Sequence, residues 1–344
     1  MKKILYFLCA AVLLAGCYPS YIRDFDEGSG VYTAYQYDLR TFVLGEGESF
    51  DFTVALGGVM ENKKDRPVKV GIDNSLLSMD LSTLVPGGSY PAFTALDAIL
   101  GNGTTFGTVC QRYVTEDIRA AAISSLTPLP ESYYSISGLD GMTIRSGRHT
   151  AAATVKATEF ITEDPKAFAP YYALAFRIME ADADVLQPER GFEVIVVRCE
   201  NRLFGDWTQA GSTAATDASG KELGVSRYEA SQADDKVCTL TTVNATTVRA
   251  NRLGSNPGSL LLTLNGDNTI TVSSGTPSVT VSEIPGEPST FNGAKLLQER
   301  VIHLNYKYVS GGTTYTVRDE LRFRSRVRDG VLEWRDENPE NYKK

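Results

Sequence analysis

Apolar residues in this chain recur mostly at every second position, and turn-forming residues punctuate the alternation. The stretches VYTAYQYDLRTFVLG (31–45), ESFDFTVALGGV (48–59) and RPVKVGID (66–73) are rich in β-branched and aromatic residues, with Gly, Asp and Asn between them. That composition and period predict strands. Strands resume at SYYSIS (132–137), MTIRSG (142–147), HTAAATVKA (149–157) and YYALAFRIMEA (171–181). In FEVIVVRCE (192–200) apolar residues occupy both faces, as in a central strand covered on each side. Residues 81–127 break the alternation. They are rich in Gly, Ser and Thr and include TEDIRAAAISSL, a short helix with Thr115 as N-cap and acids in its first turn. The first unit is thus expected to be an Ig-like β-sandwich over 31–200 with an insert at about 81–127.

A second strand series begins at FGDWTQAG (204–211) and runs to VLEW (331–334), with no helix between strands. Asn265-Gly266 and Gly311-Gly312 mark hairpin turns, because these residues tolerate positive φ at little cost. Many even antiparallel strands in sequence predict a meander closing into a barrel over 203–340. Gly205-Asp206-Trp207 resembles the opening of lipocalin-like barrels, where the Trp plugs one end, so Trp207 is expected to be structural. The fold class is therefore all-β, a sandwich followed by an antiparallel lipocalin-like barrel.

The N-terminus follows a different rule. Lys2 and Lys3 precede Ile4–Leu14, an apolar run too short to cross a bilayer but of the length of a secretory core segment. It ends in Leu14-Ala15-Gly16-Cys17, the form of a bacterial lipobox, in which small residues admit the peptidase and the Cys17 thiol takes a diacylglyceryl group. Residues 1–17 are then a signal peptide, Cys9 is discarded with it, and 18–30 form a tether. Several acyl chains anchor stably. Tyr18 rather than Asp after the lipid cysteine, with Asp24, Asp26 and Glu27 nearby, favours the outer membrane and an outward-facing placement.

The net charge of −8 argues against a binder of nucleic-acid phosphates, which needs a basic face. Cys110, Cys199 and Cys238 show no C-x-x-C spacing; they are three buried thiols, or one disulfide and a leftover. His149 and His303 lie far apart, and no hydrolase, phosphate-loop, calcium-loop or dinucleotide motif is present in the sequence. Nothing suggests a paired-carboxylate glycosidase. These residues point to a non-enzyme without a cofactor.

KDRPVKVGIDNSLL (64–77), PLPESYYSIS (128–137), MTIRSGRHTAAATVKATEF (142–160) and EDPKAFAPYYALAFRI (163–178) resemble an N-terminal domain of Bacteroidota surface lipoproteins. That domain also precedes family 18 endoglycosidase domains in some proteins. The stretch from FGDWTQAG to YTVRDELRFRSRV is similar to its usual non-enzymatic partner domain. The resemblance implies capture of an oligo- or polysaccharide beside a TonB-dependent transporter and its lid lipoprotein. A structural or adhesive, fimbria-associated lipoprotein is the alternative from another class.

Glycan binding uses exposed aromatic faces, since sugar C–H groups pack on π surfaces while polar groups bind hydroxyls. The chain has 17 Tyr. Candidates are Tyr134 in the Tyr133-Tyr134 pair, one ring of which must face outward, and Tyr306 and Tyr308, which share a strand face with Leu304. Trp334, between Glu333 and Arg335, is the aromatic to test first, with core burial as the competing expectation. In DELRFRSRVRDG, Arg322, Arg324, Arg326 and Arg328 alternate with Leu321, Phe323 and Val327. A period of two would put four guanidiniums on one outer face. That face is either a cationic strip for an anionic glycan or a solvated face paired with acids.

Overall fold

In the computed structural model the described residues are 28–77, 125–186, 190–228, 236–329 and 331–336. Cys17, the tether acids, Cys110 and nearly all of the helix expected from Thr115 lie outside them.

The first unit is a sandwich of two sheets. One runs in the order Val185–Leu186, Gly30–Thr33, Ser49–Gly57, Thr150–Ala157, Tyr134–Ser137. The other runs Tyr37–Val43, Phe192–Glu200, Tyr172–Ala181, Arg66–Ile72, Thr143–Ile144. Alternate residues of each sheet meet in the middle, where Phe52 and Phe176 stack at 4.4 Å between centroids. Phe192–Glu200 is paired on both sides, parallel to Tyr37–Val43 and antiparallel to Tyr172–Ala181. Its Ile195, Val197 and Cys199 enter the sandwich core. Its Val194 and Val196 point the other way, into a second apolar cluster with Leu39, Leu77, Leu126, Ala173 and Ala175. Both faces of that strand are dry, as its composition requires. Leu77 and Leu126 flank the 78–124 stretch, so the base of the insert covers the sheet's outer face.

The second unit is a closed barrel. Gly205–Thr216 pairs on one side with Val237–Thr242 and on the other with Thr313–Arg328. From Val237–Thr242 the ladder continues through Thr247–Leu253, Asn256–Leu264, Thr269–Ser274, Ser289–Phe291 and Val301–Ser310 back to Thr313–Arg328. Every strand of this ring is paired on both sides, while Glu222–Tyr228, hung on Gly211–Thr216, pairs on one side only among the described residues. Trp207 is fully buried and structural, donating from Nε1 to the Leu203 carbonyl at 3.1 Å and meeting the Phe323 ring edge-on. Gly311 and Gly312 both have positive φ, 57° and 78°, as the two-residue turn requires. At Asn265-Gly266 the hairpin also turns, but the left-handed residue is Asn268 (φ 65°), because Asn268 N–H closes onto the Asn265 carbonyl in a longer loop.

Sandwich and barrel are joined without a loose linker. Asn201 and Leu203 are buried; Asn201 N–H donates to Thr242 Oγ1 at 3.0 Å and its side-chain amide to the Ala245 carbonyl at 2.8 Å.

Candidate functional site

The long closing strand Thr313–Arg328 starts with the expected alternation: Val317, Asp319 and Leu321 point into the barrel while Arg318 and Arg322 point out. The phase then breaks. Phe323 lies opposite Trp207 and Ser325 opposite Asp206, so Arg324 is an extra residue, a β-bulge. After it the facing is reversed. Arg326 is 4% exposed and Val327 49%. The expected outer strip of four arginines is therefore corrected. Arg322 is exposed and pairs with Glu320 at 2.7 Å, Arg324 is exposed, Arg326 is buried, and Arg328 reaches Glu333 at 2.5 Å.

Arg326 instead ties the two units together. Its Nη2 lies 2.8 Å from Glu46 Oε2 in the sandwich and its Nε 2.6 Å from Glu333 Oε2. Glu46 Oε1 is also 2.7 Å from Arg300 Nη1, and Arg300 donates to the carbonyls of Arg202 and Lys295 at 2.8 and 2.9 Å. Two buried guanidiniums thus share one carboxylate. Removing the shared Glu46 would leave both guanidiniums buried and short of a counter-charge.

The network also holds the back of the C-terminal hairpin. Val331–Glu333 pairs with the end of the long strand, Arg326 opposite Glu333 and Val327 opposite Leu332. Glu333 faces the ion network, whereas Val327, Leu332 and, two residues on, Trp334 are exposed. Trp334 is 61% exposed, so the expectation of core burial is set aside. Asp336 pins the chain beyond it, donating from N to Gln298 Oε1 at 3.0 Å and accepting from Leu297 N–H at 2.9 Å. With the backbone fixed on both sides, only the indole's own rotation is left for a ligand to still.

Tyr306 and Tyr308 are not surface platforms. Both are barrel core, because they continue the inward row of Ile302 and Leu304. Tyr306 Oη accepts from Gly254 N–H at 2.8 Å, and Tyr308 Oη accepts from Asn256 Nδ2 at 3.0 Å while its ring stacks on Tyr315. Beside them Asp319 accepts from Gln209 Nε2 at 2.6 Å and from the Tyr228 hydroxyl, and burial pushes its carboxyl up to about 6. Tyr134 is half-buried against the sandwich core, where burial, then the Glu131 charge, pushes its hydroxyl up. Its neighbour Tyr133 borders an open cleft. His149 belongs to the sandwich and His303 to the barrel, so the fold does not bring them together. Cys199 and Cys238 are buried and free, and burial pushes both thiols up to about 12.

One solved Bacteroides structure shares this fold. A Bacteroides ovatus protein of unknown function aligns over 91% of this chain and 98% of its own, at 19% identity and a TM-score of 0.63. An auxiliary nutrient binding protein of Bacteroides thetaiotaomicron aligns over 83% and 89% at 12% identity, with a TM-score of 0.38. A multidomain Bacteroides ovatus protein including DUF1735 aligns over 92% and 98% at 13% identity, with a TM-score of 0.36. No protein-family profile matches the chain, and no curated protein matches it significantly.

Sequence reasoning missed Glu46, Arg300 and Phe160. Glu46 sits in a Gly-Glu-Gly-Glu turn that reads as solvent-exposed, and its two buried partners lie more than 250 residues on in the chain. Phe160 was hidden because it lies in a short turn without a repeating period.

Proposed function

We propose that this protein is an outer-membrane lipoprotein, anchored through Cys17 and facing outward, that binds glycan for polysaccharide uptake beside a TonB-dependent transporter and its lid lipoprotein. It acts by binding and not by catalysis. The observation that carries the reading is Trp334, an exposed indole on a backbone fixed by Glu333 behind and Asp336 ahead. Its flat apolar face suits the C–H face of a sugar ring, and Val327 and Leu332 extend it. With the arginine strip dissolved and a net charge of −8, the ligand is a neutral glycan. Contacts of that kind depend little on salt, which screens exposed charges over ~8 Å at physiological ionic strength.

A carbohydrate array on the mature soluble chain from Tyr18, followed by calorimetry at two salt concentrations, tests this. Trp334→Ala should cut affinity for the best neutral glycan about tenfold at both salts. A double Arg322→Ala/Arg324→Ala change should leave it untouched. A blank array would favour the structural or adhesive alternative. For the anchor, Cys17→Ser should abolish labelling by a palmitate analogue, and protease added to intact cells should degrade the wild-type protein. Label retained on the serine variant refutes the lipobox, and a protein left whole by the protease faces inward.

A further inference from the structure

We propose that the sandwich carries a second sugar subsite, a cleft shaped for a neutral pyranose ring between the turns Glu131–Tyr133 and Glu159–Glu163; this rests on the glycan-binding reading above. The cleft has a volume of about 490 Å³ and is lined by Ser132, Tyr133, Phe160, Glu163, Asp164 and Pro165. That volume is in the range of small-molecule sites, roughly 300–1,000 Å³.

Its frame is rigid. Thr158 N–H donates to the Tyr133 carbonyl at 2.9 Å and Thr158 Oγ1 to the Ser132 carbonyl at 2.6 Å, so the two turns are stitched together. Asp164 is held from three sides: Oδ2 accepts from Tyr172 Oη at 2.5 Å and from Tyr133 Oη at 3.2 Å, and Oδ1 from Lys166 N–H at 2.9 Å. Its partial burial works against the charge, but those hydrogen bonds, led by Tyr172, hold the carboxyl below its ordinary range. One wall of the cleft is thus a carboxylate already satisfied by protein donors, which a ligand need not neutralise.

The rim supplies what a sugar ring uses. Phe160 is 55% exposed, so its ring is open to a ligand at the cleft. The Ser132 hydroxyl and the exposed Glu163 carboxylate stand near it, ready to bond hydroxyls at the ring's edge. Charge sets the class. Glu131, Glu159 and Glu163 are exposed around the cleft, while the nearby cation Lys166 is engaged over the Tyr171 ring at 4.8 Å. An acidic rim repels uronate, sialylated and sulfated sugars and tolerates neutral ones.

The cleft is also tied to the Trp334 hairpin. Ala157 N–H donates to the Glu48 carbonyl at 2.9 Å, and Glu46, two residues earlier in the same turn, binds Arg326 behind that hairpin. A chain long enough to engage both subsites at once binds more strongly than at either alone.

The test uses the mature soluble chain with neutral, uronate-containing and sulfated oligosaccharides of graded length, on an array and then by calorimetry. Wild type, Phe160→Ala, Glu163→Gln and Trp334→Ala are compared, with thermal melts as the folding control. Phe160→Ala should weaken binding of long neutral oligosaccharides about five- to tenfold and flatten the gain with length, at unchanged melting temperature. Glu163→Gln should narrow the gap between neutral and uronate ligands. If only Trp334→Ala loses affinity, the cleft is overturned and the glycan-binding reading stands. If only Phe160→Ala does, the cleft stands and Trp334 is not the carrier. A wild type that binds no glycan overturns both, and a preference for uronates overturns the cleft's charge argument.

Discussion

Glu193 sits 5% exposed on the inner face of the sandwich, next to Asp38 and Arg40. Burial pushes its carboxyl from an ordinary 4.5 to about 8, the Asp38 charge adds to this and Arg40 opposes it. Between those two values the native state holds a proton that the unfolded chain releases. Stability therefore falls as pH rises through that window and stays reduced above it. Glu193→Gln should leave stability nearly unchanged at pH 5 and raise it by roughly 2–4 kcal/mol at pH 9. Denaturant melts at the two pH values check this, and an equal effect at both would show that the carboxyl is charged in the folded protein throughout. Arg326 and Arg324 make a second comparison at this scale, because the sequence pattern treats them alike. Arg326→Ala leaves Glu46 to Arg300 and Glu333 to Arg328, breaks two ion pairs and opens a gap at the joint, and should cost roughly 2–4 kcal/mol. Arg324→Ala, on the bulge and in solvent, should stay within about 0.5 kcal/mol. Equal costs would contradict the bulge placement.

At the scale of elements, the opening strand of the barrel changes partner along one edge. Its residues Gly205–Thr208 pair with Val237–Thr242, and Gly211–Thr216 pair with Glu222–Tyr228, while the other edge keeps to the long closing strand. The hand-over falls at Gly211, where a Cβ would lie 2.3 Å from the Arg318 carbonyl and 2.4 Å from Asp319 Oδ1. Backbone cannot yield there without opening the seam that closes the barrel. Gly211→Ala is expected to destabilise by about 3 kcal/mol or more, by the overpacking route. Gly266→Ala is the control: no atom lies within 4 Å and its φ is not positive, so it should be neutral or gain a few tenths of a kcal/mol. A thermal melt of each variant separates these outcomes.

For the whole molecule, the question is how far the sandwich and the barrel stand alone. The ring of strands closes within 205–328, so residues 203–344 should fold and melt cooperatively as a fragment. It should do so at a lower temperature than in the intact chain, since Arg300 and Arg326 lose Glu46. In the intact chain, Glu46→Ala should split one calorimetric transition into two, because both guanidiniums are then buried without that carboxylate. A single unchanged transition would mean that the buried Asn201–Phe204 joint couples the units by itself.

Several features were legible from residues alone because local forces set them. Alternating apolar and polar positions with turn residues between them specify strands wherever the chain goes, which gives the all-β class. Val194–Cys199, apolar at nearly every position, could only be a strand covered on both faces. Gly311-Gly312 could only be a tight turn, and Trp207 needed a core. What faced outward was decided elsewhere. Periodicity states which side chains share a face but not which face is wet, so Tyr306 and Tyr308 went into the barrel once the ring closed around the row they share with Leu304. Periodicity also assumes an unbroken phase. The bulge at Arg324 arises from register against the opening strand, and one extra residue there sent Arg326 inward to Glu46 and Val327 outward. The exposure of Trp334 follows from the same step, because Glu333 had to turn toward Arg326 and left the indole on the solvent side. Burial and partner choice depend on contacts between residues hundreds of positions apart, and only the closed tertiary structure brings those together.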